Sequence, residues 1–190
     1  MEKSGQIWDD SLRSLVRANP EAFIKWLLSD AQYKEERPHK LKSWKLEVDA
    51  LLHAIADGED MLVHIEFQTY NDTDMAERLL RYNVLARSEY NLPVLSFVIY
   101  LLSDGKVPQS PLSWKVPGGQ EVLQFHFRSI ELAELLPGDL LEIGHPGLLP
   151  LLPLTKGGAS REVIQRMFTE IEATDQAELL TIGSTLASLV

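Results

Sequence analysis

The stretch Trp44-Lys45-Leu46-Glu47-Val48-Asp49-Ala50-Leu51-Leu52-His53-Ala54-Ile55, Ala56-Asp57-Gly58-Glu59, Asp60-Met61-Leu62-Val63-His64-Ile65-Glu66-Phe67-Gln68 settles how this chain is read. Asp-Gly between two apolar-rich runs is a strong hairpin signal, because both central residues of the favoured tight turn need φ > 0. With Asp57 and Gly58 as turn residues, Ala54 faces Met61, Ala50 faces Ile65, Val48 faces Phe67 and Asp49 faces Glu66. A four-residue loop from Ala56 to Glu59 gives the same register, whereas a three- or five-residue loop shifts it by one. Direct cross-strand partners lie about 4.5–5.5 Å apart at Cβ, where like charges destabilise. Two facing carboxylates call for a proton or a hard divalent cation between them. Alternation places His64 and Gln68 on the Glu66 face, and Glu47, Leu51 and His53 on the Asp49 face. The competing reading is an acidic, solvated sheet face, natural in a chain with 28 Asp+Glu.

At 190 residues the chain has the length of one domain with room for a proper core. Hydrophobic content of 45% with 24% charged residues is that of an ordinary soluble globule. No basic n-region followed by an apolar stretch follows Met1, and the longest apolar runs are too short or too proline-broken to span a bilayer. The expected setting is the cytoplasm, with no membrane partner. Cysteine is absent, which excludes disulfides, thiolate zinc sites and cysteine nucleophiles. A net charge of −10 disfavours bulk attraction to nucleic acid, so phosphate binding needs a local basic patch. Residues 34–45 supply a candidate in Lys34, Arg37, Lys40, Lys42 and Lys45, with Arg78, Arg81 and Arg87 as possible additions. Ordinary solvated charge is the alternative.

Outward from the hairpin, helical spacing is found over residues 8–18, ending at Asn19-Pro20, and over 20–29, with Phe23, Trp26 and Leu27 as a stripe. Turn and N-cap chemistry at 71–74 opens a helix to about Tyr90, with Met75, Leu79, Tyr82 and Ala86 on one side. Residues 94–102 read as a buried strand reached by a crossover, hence parallel to the strand ending at Gln68. Residues 114–116 and 121–130 suggest a second hairpin, 132–136 a short helical turn, 144–158 a Pro/Gly-rich loop, and 160–190 two helices. Strand, strand, helix, strand with flanking helices is an α/β layer pattern.

Most motifs for catalysis are missing: there is no Gly-rich phosphate loop, no His-Glu-x-x-His and no nucleophile elbow. His53 and His64 are positioned to ligate a metal, but a packed or hydrogen-bonded sheet histidine is the commoner outcome. The positive constellation is Asp49, Glu66-Phe67-Gln68, and Arg78 with Tyr82 four residues apart on one helical face. Carboxylates that hold Mg²⁺, a polar side chain that orients water and an Arg that grips a phosphate oxygen suit phosphodiester hydrolysis. Surface pairing and core packing are the alternative for Arg78 and Tyr82.

On these residues the chain resembles proteins of the PD-(D/E)xK superfamily, and within it the recombination-promoting nuclease and transposase-like group common in bacteria, including cyanobacterial hypothetical proteins. Further resembling stretches are Phe23-Ile24-Lys25-Trp26-Leu27-Leu28, Met75-Ala76-Glu77-Arg78-Leu79-Leu80-Arg81-Tyr82-Asn83, residues 93–101, and Gly147-Leu148-Leu149-Pro150-Leu151-Leu152-Pro153-Leu154-Thr155-Lys156. The resemblance implies a restriction-endonuclease-like mixed sheet flanked by helices over residues 1–158, with a helical C-terminal extension over 159–190. It implies Asp49 and Glu66 as catalytic, metal-binding acids for Mg²⁺ or Mn²⁺, and Gln68 where the wider superfamily has Lys. Arg78 and Tyr82 match the supporting helix, Asp10 an N-terminal acid, and Lys40 and Lys42 fall in the candidate phosphate-binding patch. The implied activity is DNA endonuclease, linked to mobile elements or recombination, with DNA as partner and a homo-oligomer as a further expectation. The missing Lys and the acidic net charge favour a rival, a non-catalytic member serving as an interaction or assembly module. A metal-dependent hydrolase of small phosphoesters is the third reading.

An acidic protein that binds DNA through residues 34–45 and Arg78 depends steeply on salt, and reversing Lys40 and Lys42 to Glu weakens unrelated DNA sequences alike. Filter or anisotropy binding at several salt concentrations measures both. Unchanged affinity in the double variant moves the DNA site elsewhere.

Overall fold

Asp57 and Gly58 adopt φ values of 53° and 82°, the paired positive angles that close a two-residue hairpin with the twist of its strands. The computed structural model that shows this describes residues 15, 18, 20–27, 32–35, 48–69, 72–102, 107–174 and 176–190. The chain divides into two compact units, Met1–Lys45 and Leu46–Val190. In the first, helix α1 (Pro20–Leu27) starts at its proline and carries Glu21 in its first turn. Most of the helix expected over 8–18, together with Asp10, Lys40, Lys42 and Glu47, lies outside the described residues.

In the second unit, strands β1 (Ala50–Ala56) and β2 (Glu59–Gln68) pair antiparallel with Ala50 opposite Ile65 and Ala54 opposite Met61, the register expected from the turn. Helix α2 (Met75–Tyr90) follows and ends at Asn91, whose φ of 57° and N–H to the Arg87 carbonyl form a left-handed cap. Pro93 then prevents continuation, and β3 (Val94–Tyr100) runs parallel to β2. This strand–helix–strand crossover lays α2 on one sheet face. Met75 and Leu79 of α2 are fully buried against Val98 and Tyr100 of β3, with Phe125 and Phe127 completing the cluster.

Two expectations are corrected here. Residues 121–130 are not one strand: β4 (Leu112–Lys115) and β5 (Glu121–Phe125) form a small separate sheet, and β6 (Arg128–Glu131) leaves it to pair parallel with β3. The break falls at His126-Phe127. Phe127 buries beside Phe125, centroids 5.8 Å apart, and its N–H goes to Ser110 Oγ (3.0 Å) instead of a strand partner. The main sheet is therefore ordered β1-β2-β3-β6, mixed, in an α/β architecture. The Pro/Gly-rich segment expected as loop contains a nine-residue 3₁₀ helix, Pro146–Leu154. Its three prolines hold φ near the helical value, and Leu149 and Leu152 bury on one side.

A short helix α3 (Pro137–Leu141), that 3₁₀ segment, and helices α4 (Arg161–Glu172) and α5 (Ala177–Ala187) share a second core of Leu140, Leu149, Leu152, Met167 and Ile171. Ser160 caps α4 by accepting the Val163 N–H. Leu152 carbonyl accepts both the N–H (3.1 Å) and the hydroxyl (2.7 Å) of Thr155, and Gly158 N–H returns to the Thr155 carbonyl (2.8 Å). This winding brings Gly158 so close to the Leu152 carbonyl oxygen that a Cβ there overlaps it. Gly158→Ala is expected to destabilise the protein by about 1–3 kcal/mol through that overlap. Urea unfolding measures it; a midpoint equal to that of the parent shows that the turn yields freely.

Candidate active site

On β2 the residues facing α2 are Leu62, His64 and Glu66, all buried, while Val63 and Ile65 on the other face are only half-buried. Glu66 is 4% exposed. A carboxylate so enclosed requires donors, and the hairpin and α2 provide them. Asp49, one residue before β1, donates its backbone N–H to Glu66 Oε1 (3.3 Å). In return the Asp49 carboxylate accepts the Phe67 N–H (2.8 Å). The two acids thus meet at the end of the hairpin, as the register anticipated. Each carboxylate takes an amide of the other's strand, so the arrangement is not a bare repulsive contact.

Arg78, on the first turn of α2, spans Glu66 Oε2 (3.4 Å) and Asp72 Oδ2 (3.1 Å), two hydrogen-bonded ion pairs of a partly buried guanidinium. Its Nε is buried and has no acceptor among the described residues. Asp72 also accepts the Asp74 N–H (2.9 Å) in the turn that leads into the helix. One helical turn on, Tyr82 sets its ring edgewise on His64, centroids 5.4 Å apart. Gln68 lies half-buried on the Glu66 face, next to Tyr100 of β3, and its carbonyl accepts the Leu101 N–H (2.8 Å).

The structure therefore brings together Asp49, Glu66, Arg78 and Tyr82, with Gln68 two residues along. His53, the other histidine considered as a ligand, is exposed and engages Asp60 (2.6 Å) away from the acids. His64 takes the hydrogen-bonded role weighed for it, with two participants that went unanticipated, Ser96 and Asn83. His64, Ser96 and Asn83 form a buried line: His64 Nε2 contacts Glu66 Oε1 (3.2 Å), Nδ1 contacts Ser96 Oγ (3.0 Å), and Asn83 Nδ2 donates to Ser96 Oγ (3.0 Å) and the Val94 carbonyl (2.9 Å). The signal for Ser96 was present, a lone serine in the otherwise apolar and aromatic run Val94-Leu95-Ser96-Phe97-Val98-Ile99-Tyr100.

A hard cation is the group that the sequence resemblance implies. Among the described residues no set of three or more His, Asp and Glu side chains is arranged to hold a metal ion, and both His64 ring nitrogens are engaged. What remains is two carboxylates, Asp49 and Glu66, each bonded to a backbone amide of the other's segment. That donor chemistry fits Mg²⁺, which is commonly held by one or two carboxylates, with waters and substrate phosphate completing its shell.

The class defined by this fold and site is an α/β domain with paired acids at a hairpin end, backed by a cationic helix. No family model matches the chain, and no curated protein or solved structure matches it either.

Burial raises the Tyr82 pKa above its ordinary value of 10.0; the Glu66 carboxylate adds to this, Arg78 and Arg81 oppose it, and Asp49 adds a further rise. A folded pKa above the unfolded one means that the folded state holds this proton longer. The associated stability is intact below pH 10 and is lost as pH rises from the unfolded toward the folded value. Tyr82→Phe is expected to remove that part of the alkaline loss while leaving neutral-pH stability within about 1 kcal/mol. Melting curves at pH 8 to 11 test it; parallel alkaline loss in both proteins refutes it.

Proposed function

We propose that this domain is a Mg²⁺- or Mn²⁺-dependent DNA endonuclease with a restriction-endonuclease-like core of the PD-(D/E)xK kind. The observation that carries the reading is the reciprocal pairing of Asp49 and Glu66 at the hairpin end, with Arg78 of the crossover helix beside them. Asp49 and Glu66 are the residues to hold the ion. When bound, the ion supplies an activated water and neutralises charge on the cleaved phosphate. Gln68 orients the water by hydrogen bonding and, being neutral, gives less transition-state stabilisation than a Lys there. The partly exposed Arg78 guanidinium is the cation to meet a phosphate oxygen. Links to mobile elements or recombination belong to this reading through the sequence resemblance alone.

One observation favours a second reading, a non-catalytic interaction module. Both Glu66 oxygens already accept hydrogen bonds, Oε2 from a cationic guanidinium. An acid satisfied in this way serves a fold without any cation.

Incubating the protein with plasmid DNA and Mg²⁺, Mn²⁺ or EDTA separates the two. The nuclease reading expects metal-dependent nicking or cutting that falls to background in Asp49→Asn and in Glu66→Gln. It also expects millimolar metal to raise the melting temperature of the parent and to have far less effect on either variant. Equal cutting by the variants marks a contaminant; a parent inert toward DNA and indifferent to both metals supports the interaction module.

A further inference from the structure

With His64 as the neutral imidazole, the line from half-buried Asn83 to Glu66 has a direction that the hydrogen-bond inventory of its members fixes from both ends. At one end, the Val94 carbonyl can only accept, so Asn83 must present its NH₂ group there (2.9 Å). The same NH₂ reaches Ser96 Oγ (3.0 Å), which therefore accepts. At the other end, the Asp49 amide and the Arg78 guanidinium can only donate, so Glu66 is an acceptor at both oxygens. His64 Nε2, 3.2 Å from Oε1, is then the donor of that contact. A neutral imidazole carries one donor and one acceptor nitrogen, which leaves Nδ1 to accept the Ser96 hydroxyl proton at 3.0 Å. His64 and Ser96 are both 0% exposed, so water offers neither an alternative partner.

We infer that Asn83, Ser96 and His64 form a one-way relay that locks His64 in its Nε2–H tautomer and holds Glu66 Oε1, making His64 a positioning residue for Glu66. The consequence for the cation rests on the nuclease reading; the tautomer and the direction of the relay do not. A ligand acid is held in place by such outer partners, and losing one typically costs about 10–100-fold in metal affinity or activity. Tyr82 closes the relay from the helix side, its ring edge against the imidazole. The Nε2–H of His64 is thus aimed at Glu66 by packing as well as by hydrogen bonds.

The test uses the full chain with ¹⁵N-labelled histidine, the His64 signals being identified by their loss in His64→Gln. The expected parent spectrum shows Nε2 protonated and Nδ1 bare. Glutamine places an amide N–H near the Nε2 position, whereas His64→Met fills similar volume without a donor. A relay that positions Glu66 expects cutting and Mg²⁺ affinity to survive within a few-fold in the Gln variant and to fall about 10–100-fold in the Met variant, even if Met melts higher. Ser96→Ala is expected to weaken metal binding in the same sense. A parent spectrum with Nδ1 protonated overturns the relay whether or not the protein cuts DNA. Activity in the Met variant equal to that of the parent overturns the positioning role. A parent that shows the Nε2–H tautomer but neither cuts DNA nor responds to Mg²⁺ supports the relay and removes the nuclease reading instead.

Discussion

Glu66 is an ionisable side chain placed under a helix, on a sheet face that also buries Leu62, Val98 and Tyr100. An uncompensated charge there costs several kcal/mol, far more than a small domain can spare. The local architecture meets this requirement with three donors, one of them backed by a hydrogen-bonded chain. The Asp49 amide arrives from the neighbouring strand, Arg78 from the helix, and His64 from the same strand, with Ser96 of β3 and Asn83 of α2 behind it. Each of β1, β2, β3 and α2 is therefore tied to one carboxylate.

Helix α2 serves two purposes along its length. Met75, Leu79 and Ala86 supply apolar burial, and Arg78, Tyr82 four residues on, and the next residue Asn83 turn a polar edge toward β2 and the start of β3. The small β4-β5 sheet is fastened to the same helix through Trp114 Nε1, which donates to Glu77 Oε1 (2.8 Å). The C-terminal helices make a separate cluster, where Gly183 lets α5 come within reach of Met167 on α4. None of the Glu66 partners belongs to that cluster. Changes in the helical cluster and changes in the site should consequently combine nearly additively in stability.

The same charges that stabilise the site constrain what it can do. Arg78 partly neutralises Glu66 through an ion pair at 3.4 Å, a longer and weaker contact than a tight charge-assisted bond, and any cation proposed for the site has to compete with it. Asp49 is the more accessible acid, exposed where Glu66 is enclosed. With a net charge of −10, the protein has no bulk attraction to a polyanion. No helix among the described residues is long and apolar enough to cross a membrane.

Period-two alternation and one Asp-Gly turn were enough to determine from the sequence the β1-β2 register and the meeting of Asp49 with Glu66, because turn geometry and side-chain alternation are local properties; the parallel return to β3 was read from the intervening helix, since a parallel pair needs such a crossover. The Arg78 and Tyr82 pair was legible for the same reason, as helical spacing fixes which residues share a face. The breaking of residues 121–130 into β5 and β6 was not, since it depends on where Phe125 and Phe127 find a distant core. Nor was the 3₁₀ helix at Pro146–Leu154, where buried leucines give regular structure to a composition that reads as loop. The relay through His64, Ser96 and Asn83 joins residues up to 32 apart in sequence. Only tertiary packing could set those side chains within hydrogen-bonding distance, because it alone removes the water that would otherwise satisfy each of them separately.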